Sequence, residues 1–140
     1  MKKILVAEDD LPSRELLAEI LTDWGYEVVL ASNGVEALAH IEQMSLDLVL
    51  LDIQMPLLDG FGVIARIRGD PRSAVLPVVA LSAYAMREDR HRISSAGFDT
   101  QLAKPLDLGA LRVLLREIFW GHRKHLNNES IPSDCAKPVQ

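Results

Sequence analysis

Short apolar runs alternate five times with helix-like segments along this chain. The runs lie at residues 4–7, 26–31, 46–51 and 78–81, with a further short segment at 98–103. Continuous apolar runs of this length are typical of parallel strands that are buried on both faces. Strands that alternate with helices form a parallel sheet between two helical layers. The pattern therefore predicts an α/β fold, namely a doubly wound five-stranded parallel sheet with helices on both faces.

The first helix is predicted at about residues 12–24. Pro12 suits a first turn because its missing N–H is not needed there, and Gly25 suits the end of the helix. Apolar residues at helical spacing mark the face that we expect to be buried, namely Leu16, Leu17, Ile20, Leu21 and Trp24.

Caps and turn signals predict the next two helices. Asn33 is placed to cap the second helix, and Glu36 follows three residues later, as in a capping box. The third helix is predicted to begin near Gly60 and to end at the turn signal of residues 69–71. We assign a structural role, and no catalytic one, to the pair Asp59 and Gly60.

The fourth helix, at about residues 84–96, differs from the others. Its middle, residues 87–92, consists of charged residues and one histidine, so we expect it to be the least firmly docked helix. The charged run is either a solvated helix face or a partner surface, and the residues alone leave both open.

The fifth helix is predicted to begin near Asp107, and the domain is predicted to cover residues 1–120. Polar residues, glycine and proline dominate residues 121–140, which favours a flexible tail.

Composition narrows the class of protein. A length of 140 residues fits one domain, and an apolar content of 49% is ample for a core. The net charge of −5 argues against non-specific nucleic-acid binding, which needs a basic face. No apolar stretch approaches the roughly 18 residues of a membrane span, so we expect a cytoplasmic protein without a membrane partner. The single cysteine, Cys135, excludes an intrachain disulfide.

Polar side chains stand just beyond the ends of four of the five runs. The carboxyl ends of parallel strands meet at one edge of a sheet, where ligands bind, so these side chains should converge. Carboxylates that face one another repel unless a cation is present, and Mg²⁺ prefers oxygen ligands. The residues therefore predict a site for a divalent cation and a phosphoryl group, built from Glu8, Asp9, Asp52, Ser82 and Lys104.

The chemistry open to this site is phosphoryl transfer to a carboxylate. Asp52 can attack phosphorus without a general base, because a carboxylate is already deprotonated. Such a transfer depends mainly on positioning and charge neutralisation. The metal would neutralise one side of the transferring group, Lys104 would pair with another phosphoryl oxygen, and Ser82 would donate a hydrogen bond to a third. The product would be an acyl phosphate on Asp52.

Four motifs make the chain resemble the receiver domain of two-component response regulators over about residues 2–120. They are Ile-Leu-Val-Ala-Glu8-Asp9, Asp52-Ile-Gln-Met55-Pro56-Leu-Leu-Asp59-Gly60, Leu81-Ser82-Ala83 and Lys104-Pro105, in the family's order and spacing. The resemblance implies a flavodoxin-like receiver fold and phosphorylation of Asp52 by a partner histidine kinase. It also implies Mg²⁺ bound by Asp9, Asp52 and the backbone carbonyl of Gln54, with Glu8 acting through a water molecule.

The same resemblance assigns the remaining residues. Ser82 takes the place of the family's switch hydroxyl and Lys104 that of its phosphate-binding lysine, and the bond before Pro105 is commonly cis. Apart from the resemblance, Asp10 is expected to shape the loop or to cap the first helix instead of joining the site. Gln101 departs from the family, which usually has Tyr or Phe there. We therefore expect the output signal to pass through the loop after Ser82 and the fourth helix more than through Gln101.

The implied function is signalling. Phosphorylation would switch a surface of the fourth helix, fifth strand and fifth helix, which a downstream protein or phosphotransfer partner reads. We expect no enzyme, although the domain would assist its own phosphorylation and dephosphorylation. The chain is either a stand-alone receiver or a module excised from a hybrid kinase or multidomain regulator. An aspartyl-phosphate phosphohydrolase is disfavoured, because Gln54 stands where that class has an acid that shuttles a proton.

Overall fold

A computed structural model describes residues 1–83 and 87–121 of the chain. The strands are β1 (Lys3–Ala7), β2 (Glu27–Ala31), β3 (Leu48–Asp52), β4 (Val78–Ser82) and β5 (Thr100–Ala103). The helices are α1 (Leu11–Asp23), α2 (Gly34–Gln43), α3 (Gly60–Gly69), α4 (Arg87–Ala96) and α5 (Leu108–Arg116), and a π-helical turn follows at Glu117–Gly121. The first residues of the predicted fourth helix, 84–86, and residues 122–140 of the predicted tail lie outside the described residues.

The five strands form one parallel sheet in the order β2-β1-β3-β4-β5. Ala7 is level with Leu51 across β1 and β3, and Ser82 is level with Ala103 across β4 and β5. The strand order reverses between β1 and β3, which is where open α/β sheets bind ligands. The predicted five-stranded parallel sheet is therefore confirmed. A ligand site is expected at its carboxyl edge, between β1 and β3.

Both faces of the central strands are buried, since every residue of β3 and β4 lies in the interior. On one face, residues of β1, β3 and β4 form a core with the helices α2, α3 and α4, which contribute Ala37, Val63, Ile64, Ile67 and Ile93. Each fully buried valine or isoleucine side chain contributes about 1.5–3 kcal/mol to folding. Helix α1 contacts β1 and β2 and buries Leu17 and Leu21.

Helix α1 corrects one prediction and confirms another. Leu16 is 53% exposed, so its assignment to the buried face was wrong. Leu17 and Leu21 lie one turn apart on the inward side, and a residue one position away is rotated by about 100°. Asp10 caps the helix as predicted, because its carboxylate accepts hydrogen bonds from the N–H and the hydroxyl of Ser13 at 3.1 and 2.6 Å.

Helix α4 has few apolar anchors, as its sequence predicts, and its weaker docking stays a prediction. Of the side chains at positions 88–96, Ile93 is the buried one.

The chain divides into two compact units. The first, Met1–Pro105, holds the sheet, α1–α4 and every residue of the site described below. In the second unit, Asp107 caps α5 by accepting hydrogen bonds from the next turn. Among the described residues, no helix combines the length and apolar character needed to cross a membrane.

Candidate functional site

Three carboxylates meet at the carboxyl ends of β1 and β3. Glu8 and Asp9 follow β1, Asp52 ends β3, and one oxygen from each lies within 4.8 Å of the other two. Glu8 and Asp52 are only 1% and 4% exposed, whereas Asp9 faces solvent. The topology thus brings the predicted acids together and leaves Asp9 as the member that an incoming ligand meets first.

Lys104 ties the two buried carboxylates together. Its Nζ lies 2.9 Å from Oδ2 of Asp52 and 2.9 Å from Oε1 of Glu8. Its backbone N–H donates to the carbonyl of Ser82 at 2.9 Å, which fixes the start of the loop after β5. Burial lowers the pKa of Lys104, but the hydrogen bonds to Asp52 and Glu8 outweigh it and raise the pKa above its ordinary value. The bond between Lys104 and Pro105 is cis, as the resemblance implied.

Glu8 reports the crowding of negative charge at the site. Burial raises the pKa of Glu8, and the neighbouring carboxylate of Asp52 raises it further. The ion pair with Lys104 and a hydrogen bond from the N–H of Asp10 at 3.2 Å act in the opposite direction. One ammonium therefore faces three carboxylates, and the excess negative charge is what a bound cation would offset.

The donor set fits Mg²⁺. All three clustered side chains offer carboxylate oxygens, which a hard divalent cation prefers, and the exposed position of Asp9 leaves room for the several waters that Mg²⁺ retains. The N–H of Gln54 lies 3.3 Å from Oδ1 of Asp52, so this residue borders the site. The ligand role of the Gln54 carbonyl stays a prediction.

Ser82 is placed beside Asp52 by the register of the sheet. Asp52 is level with Leu81 on the neighbouring strand β4, and Ser82 is the next residue along. Ser82 is buried and is level with Ala103, which directly precedes Lys104. Ser82 therefore lies on the strand between the one that carries the acid and the one that leads to the lysine.

The turn from β3 into α3 needs the glycine that the sequence supplies. A Cβ atom at Gly60 would lie 2.7 Å from the carbonyl oxygen of Asp52 and 2.8 Å from Cα of Ile53. The N–H of Gly60 donates to the carbonyl of Ile53 at 2.8 Å, and Asp59 caps α3 by accepting from the N–H of Gly62 at 2.9 Å. The structural role predicted for Asp59 and Gly60 is confirmed, and it holds the backbone of Asp52 in place.

A groove of about 510 Å³ leads from the carboxylate cluster toward α4. Its walls include Asp9 of the cluster, Ile53 and Gln54, which follow Asp52, and Arg92 of α4. The guanidinium carbon of Arg92 lies 4.1 Å from the centroid of the Phe61 ring. We did not predict a role for Arg92, and the one signal for it was the charged run at 87–92, which left a solvated face and a partner surface equally open.

The sequence profile of the response regulator receiver domain family matches residues 4–116. The chain belongs to this family. Over 104 residues this receiver domain is 43% identical to an uncharacterised 14.6 kDa protein of Leptolyngbya boryana. The matched region covers 74% of this chain and 79% of that protein. Over 112 residues it is 39% identical to the sensor histidine kinase RcsC of Salmonella typhi. That match covers 80% of this chain but only 12% of the kinase, so the domain corresponds to a small part of such a protein.

Solved structures confirm the receiver fold. One similar structure is the receiver domain of a sensor histidine kinase from Pseudomonas aeruginosa PAO1, determined with a magnesium ion coordinated in its active-site cleft. Its TM-score is 0.77 at 31% identity, and the match covers 83% of this chain and 95% of that one. Receiver domains therefore occur within sensor kinases as well as in response regulators, and both settings are open to this chain.

Proposed function

We propose that this receiver domain accepts a phosphoryl group on Asp52 from a partner histidine kinase, in a reaction that requires Mg²⁺. The observation that carries the proposal is the position of Lys104, whose Nζ lies 2.9 Å from both Asp52 and Glu8. Because the Lys104 ammonium contacts the acceptor carboxylate, it would be within reach of an oxygen of the phosphoryl group that Asp52 accepts. Asp9, which has an oxygen within 4.8 Å of oxygens of Glu8 and Asp52, would hold the metal on the solvent side.

The residues divide the work by charge. Asp52 attacks phosphorus with one carboxylate oxygen, and the bond from phosphorus to the donor breaks with its electron pair going to the donor. Lys104 exchanges its contact with Asp52 for one with a phosphoryl oxygen, and the hydroxyl of Ser82 donates to another. Asp9, Asp52 and the carbonyl of Gln54 would hold Mg²⁺, with Glu8 acting through water. The metal supplies charge neutralisation that lowers the barrier to attack.

The output is a shift between two conformations of α4 and β5, which a downstream protein or phosphotransfer partner reads. Both elements belong to the compact unit that carries the site. In this proposal the domain turns over no separate substrate and works in the cytoplasm without nucleic-acid or membrane partners. The match to 12% of a sensor kinase also supports a second setting, in which the domain relays phosphate within a larger hybrid protein.

Intact mass measurement after incubation with Mg²⁺ and acetyl phosphate tests the proposal. We expect one phosphate adduct on the native chain and none on Asp52→Asn. Asp23→Asn is the matched control, because Asp23 is an exposed aspartate at the end of α1. It should accept phosphate like the native chain. An adduct on Asp52→Asn, or none on the native chain, would overturn the assignment.

A further inference from the structure

Arg92 places a cation in the wall of the groove that leads to the acceptor site. Its guanidinium lies over the ring of Phe61, and that ring packs edge-on against Phe98, with centroids 6.3 Å apart and an interplanar angle of 77°. Phe98 is buried and anchors the stack. An arginine held on a fixed aromatic ring loses less freedom when it binds a ligand than a free surface arginine does.

The charge of Arg92 is not used by the fold. Arg68 and Arg72, by contrast, form ion pairs with Asp99 and Asp70. No such pair joins Arg92 to a carboxylate within residues 1–83 and 87–121. Guanidinium is charged at every pH at which the protein is folded. Among the described residues that line the groove, Arg92 is therefore a cation without a carboxylate partner.

The acids of the groove do not cancel this charge once the site is ready for reaction. Asp9 and Asp59 are the carboxylates in the groove walls. Asp59 accepts the N–H of Gly62 as the cap of α3, and Asp9 belongs to the carboxylate cluster assigned to Mg²⁺. With the cation bound there, neither of these acids offsets the charge of Arg92, which is free to attract an anion. A volume of about 510 Å³ accommodates a small organic phosphate.

We propose that Arg92 binds the anionic leaving group of a small acyl phosphate and so orients that donor toward Asp52. The inference deepens the proposed function and rests on it. In the transfer, a carboxylate oxygen of Asp52 forms a bond to phosphorus, the bond from phosphorus to the acyl oxygen breaks, and the electron pair leaves with the acyl carboxylate. No proton is taken up or released. Negative charge grows on the leaving oxygen, and a nearby guanidinium stabilises it.

The choice of donor separates this role from a structural one. Acetyl phosphate releases acetate, which is an anion, whereas phosphoramidate carries its proton on nitrogen and releases neutral ammonia. Arg92→Gln should slow phosphorylation by acetyl phosphate about threefold to tenfold, the range of a partly exposed charge-assisted contact. Phosphorylation by phosphoramidate should change less than about twofold, because its leaving group carries no charge for Arg92 to bind.

The experiment is the initial rate of adduct formation, followed by intact mass at several donor concentrations with Mg²⁺ present. Arg92→Lys should recover part of the loss, because it keeps the charge but not the planar geometry. Arg90→Gln is the matched control, since Arg90 is exposed on the same helix and should react like the native chain. Added salt should lower the rate of phosphorylation by acetyl phosphate more in the native chain than in Arg92→Gln, because salt screens the charge of Arg92.

The outcomes distinguish the two proposals. Equal losses with both donors would overturn the inference, because they would mean that Arg92 acts by holding α4. Unchanged rates with acetyl phosphate would overturn it as well. A native chain that takes phosphate from neither donor would refute the proposed function itself. A selective loss with acetyl phosphate supports both.

Discussion

The side-chain Nε2 of Gln101 donates a hydrogen bond of 3.1 Å to the backbone carbonyl of Arg90, and so joins β5 to the middle of α4. Gln101 stands where the family usually has an aromatic ring. An inward swing of this amide would break the bond and bury a polar group that needs new partners. That the signal passes through the loop after Ser82 and α4 more than through Gln101 stays a prediction, and this hydrogen bond offers a way to test it.

Removing this hydrogen bond should loosen α4 without abolishing the switch. In Gln101→Ala we expect amide hydrogens of α4 to exchange roughly twofold to tenfold faster, the effect of losing one ordinary hydrogen bond. Beryllofluoride, which stands in for the phosphoryl group on Asp52, should still change the exchange of α4. Thr100→Ala, at the neighbouring position of β5, is the control. A Gln101→Ala protein whose α4 no longer responds to beryllofluoride would contradict the prediction.

The sheet could be predicted from the sequence because its strands are buried on both faces. A continuous apolar run such as that of β3 is distinguished from a buried helix by its short length and by the turn signals that bound it. The helix faces were harder, as Leu16 shows. A stripe of five apolar residues covers more of a helix than a sheet contacts, and packing decides which of them, here Leu17 and Leu21, turn inward.

The site divides in the same way. Glu8, Asp9 and Asp52 could be predicted to converge because topology places the ends of parallel strands side by side. The contacts of Arg68 and Arg92 could not be predicted from the sequence. Their partners lie on other elements, at positions that no strand-end pattern marks. No local pattern distinguishes an arginine that bridges two loops or lines a groove from one that is solvated, so these roles emerge only when the distances are known.

Magnesium should stabilise the folded protein through the carboxylate cluster. A ligand that binds only the folded state adds about 2.7 kcal/mol at 100 times its Kd. We expect Mg²⁺ to raise the unfolding midpoint of the native chain, and EDTA to reverse the rise. Asp9→Asn should raise the midpoint in EDTA, because it removes one of three mutually repelling charges, and should respond weakly to Mg²⁺. A response of Asp9→Asn as large as that of the native chain would refute the metal assignment.

Glu36 should contribute to the acid sensitivity of the fold. Its carboxylate accepts hydrogen bonds from the N–H and hydroxyl of Ser32 at 2.8 and 3.0 Å, and these bonds hold its pKa below the ordinary value. The folded state thus favours the ionised form, so the stabilisation is present above the unfolded pKa and is lost as pH falls through the folded pKa.

Thermal unfolding of the native chain and of Glu36→Gln, measured from neutral pH down to acidic pH, tests this contribution of Glu36 to stability. The native chain should be the more stable at neutral pH, and the difference should shrink as Glu36 protonates. Glu15→Gln, an exposed change in α1, serves as the control and should leave the pH profile unchanged. A difference between native and Glu36→Gln that stayed constant with pH would show that the hydrogen bonds do not depend on the charge.

Arg68 joins α3 to the loop before β4 and to the turn after α4. Its Nε donates to the carbonyl of Gly97 at 2.9 Å, and Nη1 donates to the carbonyls of Ala74 and Leu76 at 3.0 and 2.7 Å. Its Nη2 lies 2.9 Å from Oδ2 of Asp99. One guanidinium therefore donates to carbonyl oxygens both in the loop before β4 and in the turn after α4.

Replacing Arg68 should cost more than any other change of an arginine described above. We expect Arg68→Ala to lower the free energy of unfolding by about 2–4 kcal/mol, because carbonyl acceptors lose a charged donor. Arg68→Lys should recover less than half, since one ammonium cannot reproduce the fork of donors. Chemical denaturation measures the loss, and Arg66→Ala, exposed on the same helix, should change it little. If Arg68→Lys were as stable as the native chain, the charge alone would be sufficient and the bridging geometry would be irrelevant.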